Sequence, residues 1–200
     1  MINVKNLSFY RESRVVIDEL DLQLEKGELV LLSGSNGVGK STLLQLIGGV
    51  LKPTSGEITI NGTDISEMKV KDQALLRSIA PQRRIFSLAY SVGEVLHLLP
   101  EKRRSFNVDL IIESLGLVEI MASKVTELSI GQQQRVSLAI ALIQEADFYL
   151  LDEPFSAQDE DSVLNLVALL AEIKKEKGVM VVSHNTGTHY SQFDREIKLT

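Results

Sequence analysis

The chain has no cysteine and no tryptophan among its 200 residues. Without a thiol there is no disulfide framework, no thiolate metal site and no cysteine nucleophile. Aromatic residues make up only 5%, too few for a platform on which nucleic-acid bases stack. Positive charge is also in the minority: 21 Lys and Arg stand against 27 Asp and Glu, a net charge of −6. That balance opposes non-specific binding to a phosphate backbone, although a local basic patch would survive it, and no nucleic-acid partner is expected. Long apolar runs are missing too. The best stretches, Ser137–Ile143 and Phe148–Leu151, are interrupted by Glu145, Asp147, Asp152 and Glu153, whereas a membrane helix needs about 18–20 apolar residues in a row. Met1-Ile2-Asn3-Val4-Lys5-Asn6 lacks the apolar segment of a signal peptide. The expectation is a cytoplasmic chain that reaches a membrane only through an integral subunit.

What is present is ordinary globular material, 44% hydrophobic and 24% charged, enough for one domain with a substantial core. Ile2–Phe9 and Val15–Leu24 alternate apolar and polar residues and read as strands. Leu29-Val30-Leu31-Leu32, Phe148–Leu151 and Val179-Met180-Val181-Val182 are short continuous apolar runs, suited to strands buried on both faces. Glu57-Ile58-Thr59-Ile60 followed by Asn61-Gly62 reads as a strand entering a hairpin turn, and a last strand is expected near Ile197. Helical spacing appears at Leu43, Leu44 and Ile47, over Gln132–Gln144, and over Asp161–Lys177, which Gly178 stops. From about Ser91 to Glu127 the pattern is helical (Val92, Val95, Leu96, Leu99, then Leu110, Ile111, Leu115) with breaks at Pro100 and Gly116. Alternating strands and helices give an α/β order with a parallel core sheet. The helical middle would be an insertion between core elements.

Two motifs carry chemistry. Gly34-Ser35-Asn36-Gly37-Val38-Gly39-Lys40-Ser41-Thr42 fits G-x-x-x-x-G-K-[ST], preceded by a buried strand and opening a helix. Glycines let successive backbone N–H groups point inward at phosphate oxygens, and the helix N-terminus adds its positive end. Lys40 would reach the β- and γ-phosphates, the Ser41 hydroxyl would ligate Mg²⁺, and Thr42 would bond an α-phosphate. The second motif is Phe148-Tyr149-Leu150-Leu151-Asp152-Glu153, an apolar strand ending in two carboxylates. Strand ends of a parallel sheet open onto the ligand crevice. There Asp152 would hold Mg²⁺ and Glu153 would orient and deprotonate an attacking water.

Leu128-Ser129-Ile130-Gly131-Gln132-Gln133-Gln134-Arg135 resembles the LSGGQ signature of the ABC ATPases, and its distance from the Leu-Leu-Asp-Glu-Pro segment matches that family. The resemblance spans essentially the whole chain, with the motifs in the family's order. It implies an N-terminal antiparallel β subdomain, a P-loop core and an inserted helical subdomain, here about 83–146 between core segments 1–82 and 147–200. It also implies roles for further residues. Tyr10 matches the aromatic that stacks on adenine. Gln82, in Ala80-Pro81-Gln82, matches the glutamine that touches Mg²⁺ and the attacking water. Ser156-Ala157-Gln158-Asp159 looks like the D-loop, with Gln158 where Leu is usual. His184, in Val182-Ser183-His184, looks like the histidine that meets the γ-phosphate; His97 and His189 have no such context. Ile130 replaces the first signature glycine.

The same resemblance implies a head-to-tail dimer, in which ATP on one subunit's phosphate loop meets Ser129, Gly131 and Gln132 of the other. A signature that precedes a helix supplies free N–H groups and the Ser129 hydroxyl, an anion site remote from the first. A lone nucleotide-binding subunit of this size normally docks on separate membrane subunits. The region from Gln82 to Ser91-Val92-Gly93-Glu94-Val95 is similar to that of subunits importing metal chelates and vitamins. Phe86, Leu88 and Tyr90 would offer a groove for a membrane subunit or belong to the helical core. The leading expectation is therefore the ATPase subunit of a membrane transporter. Two others remain open: a non-transport ABC ATPase acting on DNA or ribosomes, and a nucleotide-binding module that does not hydrolyse.

Overall fold

The computed structural model describes residues 1–98, 108–156, 158–184 and 191–200. Leu99, Pro100, Ala157 and His189 lie outside the described residues. Two sheets form. In the first, β1 (Ile2–Arg11) pairs antiparallel with β2 (Arg14–Leu24) on one side. On its other side lies β4 (Ser55–Ile60), which turns through Asn61-Gly62 into β5 (Thr63–Asp64), giving the order β2-β1-β4-β5. The expected alternation is visible in the burial of Ile2, Val4, Ile58 and Ile60, with the less buried Asn3 and Thr59 between them.

The second sheet is parallel at every pairing. It orders β6 (Arg77–Ala80), β7 (Phe148–Asp152), β8 (Gly178–Val182), β3 (Leu29–Ser33) and β9 (Arg195–Lys198) as β6-β7-β8-β3-β9. Its central strands are continuous apolar runs because both faces are covered. Along β8, Val179 and Val181 pack into the core shared with the helices α3 (Val92–His97), α4 (Val108–Ser114), α5 (Ile130–Ile143) and α6 (Glu160–Ile173). Met180 and Val182 pack into the opposite core, with α1 (Lys40–Ile47) and the antiparallel sheet.

The structure refines several expected boundaries. α5 begins at Ile130, two residues early, because the Ser129 hydroxyl accepts from the Gln132 N–H and caps it. α6 begins at Glu160 under the Asp159 cap and stops at Ile173 rather than Lys177. The described part of the middle is not one helical stretch but α3, α4 and two single 3₁₀ turns at Val118–Ile120 and Val125–Glu127. The strand β6 and the helix before it, α2 (Val70–Leu76), are additions. β6 has only four residues and starts with an arginine, so it shows no apolar run. Arg77 is nevertheless buried. Its guanidinium donates to the carbonyls of Ile47 (2.9 Å) and Gly48 at the end of α1, and to Gln73. Burial lowers its pKa to about 10. No helix among the described residues is long and apolar enough to cross a membrane.

Candidate active site

The carboxyl ends of β3, β7 and β8 lie side by side in the parallel sheet, and each delivers one part of the site. From β3 the chain enters the Gly34–Gly39 loop and then α1. Gly39 is the residue before the helix, with φ +110, and a Cβ there would lie 2.9 Å from the carbonyl oxygen of Val16 on β2. Only glycine accepts both that dihedral and that approach. Lys40 follows, 7% exposed. Its Nζ donates to the carbonyls of Gly34 (2.8 Å) and Ser35 (3.1 Å). Two neutral carbonyls hold the ammonium in place but do not neutralise it, which leaves a buried charge suited to an anion.

Above this loop opens a cavity of about 1030 Å³, at the upper end of the usual size for small-molecule and cofactor sites. Asn36, Gly37, Val38, Gly39, Lys40, Ser41 and Thr42 form its floor, Gln82, Glu153 and His184 line it as well, and the β1–β2 hairpin contributes Arg11, Arg14 and Val16. Gln82 arrives from the end of β6 through Pro81. The structure thus brings the phosphate loop, Gln82, Glu153 and His184 to one cavity.

Asp152 ends β7, is buried, and its Oδ1 has no hydrogen-bond partner. Burial raises its pKa above the ordinary 3.8, as does the neighbouring Glu153, while a hydrogen bond with Ser41 and the charge of Lys40 oppose the rise. An unpartnered buried carboxylate oxygen beside a serine hydroxyl is incomplete as it stands. A hard divalent cation that takes oxygen ligands, as Mg²⁺ does, fits that donor set. Among the described residues no cluster of three or more acidic, His or Cys side chains offers an all-protein metal cage; Mg²⁺ that also binds substrate phosphates does not need one.

Glu153 sits in the left-handed region, φ +51, although it precedes a proline and is not glycine. Contacts on both sides of the residue hold it there. Its N–H donates to Val182 O at 2.9 Å. Its carbonyl accepts from the Gln134 Nε2 (2.7 Å), the Ser156 hydroxyl (3.0 Å) and the Ser156 N–H (3.2 Å). The carboxylate Oε2 lies 2.9 Å from His184 Nδ1, an ion pair only when the imidazole is protonated.

Other residues singled out in the sequence stand apart from the cavity. Tyr10, 40% exposed at the end of β1, has its hydroxyl 3.5 Å from Asp18; the hairpin lines the cavity through Arg11, Arg14, Val15 and Val16 instead. Ser129, Gly131 and Gln132 form the first turn of α5, with a reciprocal capping box in which the Ser129 N–H also donates to Gln132 Oε1 at 3.0 Å. None of them lines the cavity. Asp159 caps α6, accepting from the Ser162 N–H (2.8 Å) and hydroxyl (3.0 Å), which hold its pKa low. Arg11, Arg14 and Gln134 become candidates only in the structure. No sequence signal marks the two arginines, since an exposed hairpin turn is commonly charged. For Gln134 the available signal was a long polar residue just ahead of the buried run Val136–Ile143 of α5.

The chain is similar to known proteins over most of its length. The family model described as ABC transporter matches residues 17–156. The ATP-binding protein MlaF of an intermembrane phospholipid transport system, from Haemophilus influenzae, is 34% identical, with 92% of this chain and 75% of the relative aligned. The ATP-binding protein TroB of a zinc transport system, from Treponema pallidum, is also 34% identical, over 99% of this chain and 77% of its own. Among solved structures, an ATP-binding subunit of an ABC transporter superposes with a TM-score of 0.89 at 26% identity, covering 100% of this chain and 85% of that one. The dimeric ATP-binding cassette MJ0796, in a post-hydrolysis state with ADP and Pi bound, gives 0.85 at 26% identity, covering 100% and 94%. The chain belongs to the ABC transporter family.

Proposed function

We propose that this chain binds ATP over the Gly34–Thr42 loop and hydrolyses it to ADP and phosphate, as the energy-supplying subunit of a transporter whose membrane part is separate. One observation carries the reading: the buried Lys40 ammonium, the unpartnered Asp152 oxygen and the Glu153 carboxylate are gathered beyond the carboxyl ends of β3 and β7, the two parallel strands that flank β8. Lys40 and the loop amides would hold the β- and γ-phosphates. Ser41, Asp152 and Gln82 would hold Mg²⁺, which supplies charge neutralisation at the phosphates. Glu153 takes the proton of the attacking water, and His184, 2.9 Å from it, orients that carboxylate and faces the γ-phosphate. Tyr10 approaches the adenine after a movement of the exposed β1 end.

The signature residues reach no nucleotide in their own chain. We place them against the ATP of a second nucleotide-binding subunit, in a head-to-tail dimer, with Asp159 at the shared boundary. Segment 83–146 then acts as the helical subdomain that presents the signature, and closure excludes water and completes each site. Membrane subunits are expected on the face beyond Gln82, where Ile85, Leu88 and Tyr90 are exposed, while Phe86 packs into the helical core. The subunit would then lie on the cytoplasmic side of the membrane, held by those partners. The relatives' systems carry different cargoes, phospholipid in one name and zinc in another, so the cargo belongs to the membrane partners.

The test is phosphate release from ATP with Mg²⁺, compared between the unmodified chain and Glu153→Gln. The amide keeps shape and can still accept from His184 but takes no proton. A rate about 10²–10⁴-fold lower is expected, with ATP binding retained and an ATP-bound dimer accumulating on size exclusion. Equal rates would remove Glu153 from the chemistry.

A further inference from the structure

We propose that Gln134 is a positioning residue for Glu153, tying the signature helix of a chain to the general base of that same chain. The inference rests on the reading of Glu153 above. Glu153 is a strained residue of the site, a non-glycine at φ +51 immediately before Pro154. Pre-proline residues favour extended backbone, so the conformation persists only while its surroundings hold it. On the amide side it is held by β8 through Val182 O. On the carbonyl side the one contact from another element among the described residues is Gln134: its Nε2 lies 2.7 Å from Glu153 O and 2.7 Å from the Ser156 hydroxyl oxygen. Ser156 in turn donates back to Glu153 O at 3.0 Å. One amide group thus donates to both oxygens of a small closed network.

The three consecutive glutamines divide three tasks. Gln132 closes the cap with Ser129. Gln133 donates to Val125 O (3.1 Å) and Leu128 O (3.2 Å), fixing the approach to the signature. Gln134 alone leaves the signature and reaches the β7–α6 connection. It lies on the same rigid helix as Ser129 and Gly131, within about 8 Å along the axis at 1.5 Å per residue. A shift of that first turn against a partner's nucleotide therefore moves the Gln134 donor. Through it moves the Glu153 peptide, whose carboxylate meets the other nucleotide. Hydrogen-bond geometry is the means of coupling. Gln134 does not line the cavity.

Gln134→Leu removes the donor, and Gln134→Glu keeps length and helix preference while setting an acceptor against two oxygens. Both are expected to lower kcat for ATP hydrolysis roughly 10–100-fold, the scale of a small misplacement of a catalytic group. KM and the binding of a fluorescent ATP analogue stay within about twofold, and the Hill slope for ATP falls toward one because the link between the two sites is cut. Added to Glu153→Gln, either substitution leaves the ATP-bound dimer intact on size exclusion, since only the placement of the base is affected. Wild-type kcat and Hill slope in both variants overturn the proposal. Loss of the dimer in the Glu153→Gln background also overturns it, by placing Gln134 in closure rather than in base positioning. Should Gln134→Leu fail to fold, Gln134→Glu carries the test; should both fail, Ser156→Ala, which removes the hydroxyl of the network, must lower kcat at constant KM or the proposal falls. An unmodified chain that releases no phosphate refutes the underlying reading of Glu153 instead, an outcome distinct from normal turnover in a Gln134 variant.

Discussion

Gly39→Ala isolates the fit between the phosphate loop and the β1–β2 hairpin. Two costs add. At φ +110 and ψ 6 the residue lies beyond the small left-handed region open to L-residues, where even the favourable part costs about 1–2 kcal/mol. The new methyl would also sit 2.9 Å from Val16 O and 3.3 Å from Val16 Cγ1. The oxygen is backbone and cannot rotate away, so the loop or β2 must shift by a few tenths of an ångström, a strain of about 1–2 kcal/mol by comparison with overpacked cores. The sum, about 2–4 kcal/mol, corresponds to roughly a 30-fold to several hundred-fold loss of ATP affinity at 1.4 kcal/mol per decade. Gly37→Ala supplies the control. It has φ +79 but no atom within 4 Å of its Cβ, so only the dihedral cost of about 1–2 kcal/mol remains. Titration with a fluorescent ATP analogue should rank the wild type above Gly37→Ala and Gly37→Ala above Gly39→Ala, the last step being about fivefold or more. Melting without nucleotide separates loop strain from global damage. If both variants bind equally, the contact with Val16 has no weight. If the melting temperature falls and affinity does not, β2 rather than the loop is the element that yields.

Arg77→Leu removes the donors for Ile47 O and Gly48 O; two unpaired buried carbonyls at about 1–3 kcal/mol each give a melting point lower by about 5–15 °C, and a change within 2 °C would show that water replaces the guanidinium. Burial opposes the ionised Asp194, yet the Lys174 ammonium at 2.7 Å and the Leu29 N–H at 2.8 Å prevail and hold its pKa below 3.8. A depressed carboxylate stabilises the fold above its unfolded value and loses that contribution as pH falls through the folded one. Asp194→Asn should therefore melt lower than the wild type at neutral pH and converge with it below about pH 4, by less than about 1 kcal/mol given the exposure of the pair; a constant gap across pH 2–7 would reject the ionic origin. Mixing Gly131→Asp with Lys40→Ala should restore ATPase activity that neither variant has alone, because one composite site then joins an intact loop to an intact signature. A silent mixture in which the heterodimer demonstrably forms would count against the shared site.

How much of this was legible in the sequence follows from where the signal sits. Strands buried on both faces show as unbroken apolar runs, so β3, β7 and β8 were readable, as was the phosphate loop, whose glycines and lysine leave few other uses. β6 was not, because its burial depends on a distant partner: Arg77 looks like a surface residue until Ile47 O and Gly48 O are seen to receive it. The short helices of the middle were merged, since spacing reveals apolar faces but not the 3₁₀ turns between them. Asp152 and Glu153 could be picked out as a pair. That one would have an orphan oxygen and the other a left-handed backbone was not legible, because both facts come from tertiary contacts. Tyr10 shows the reverse: a resemblance supplied a role that the side chain's position, bonded toward Asp18 at the cavity edge but not itself lining the cavity, does not yet display.

The separation of the signature from the cavity bears on Ile130, the departure most exposed to doubt. Ile130 is the first residue of α5 and 72% exposed, and it is absent from the residues of positive φ. A β-branched side chain is therefore unstrained there, and helical backbone is available to it without glycine. The Ser129 hydroxyl oxygen already accepts from the Gln132 N–H, but accepting does not use the hydroxyl hydrogen, which is free to donate to an anion. The amides of Ile130 and Gly131 precede the first intrahelical donor, the Gln133 N–H bonded to Ser129 O, and are likewise unspent by the helix. Capping and phosphate binding are thus compatible, and the turn needs no rearrangement to receive a partner's nucleotide. What a side chain at 130 does add is bulk on the surface that must close, and whether that bulk matters depends on which way the exposed Cβ faces across the dimer. If it faces aside, Ile130→Gly changes ATPase activity by about twofold or less, the small effect usual for surface positions, and Gly131→Asp, which adds charge beside the triphosphate, abolishes it. If Ile130→Gly instead raises activity many-fold, the side chain holds the two halves apart, and the natural signature of this chain closes less tightly than its backbone would allow.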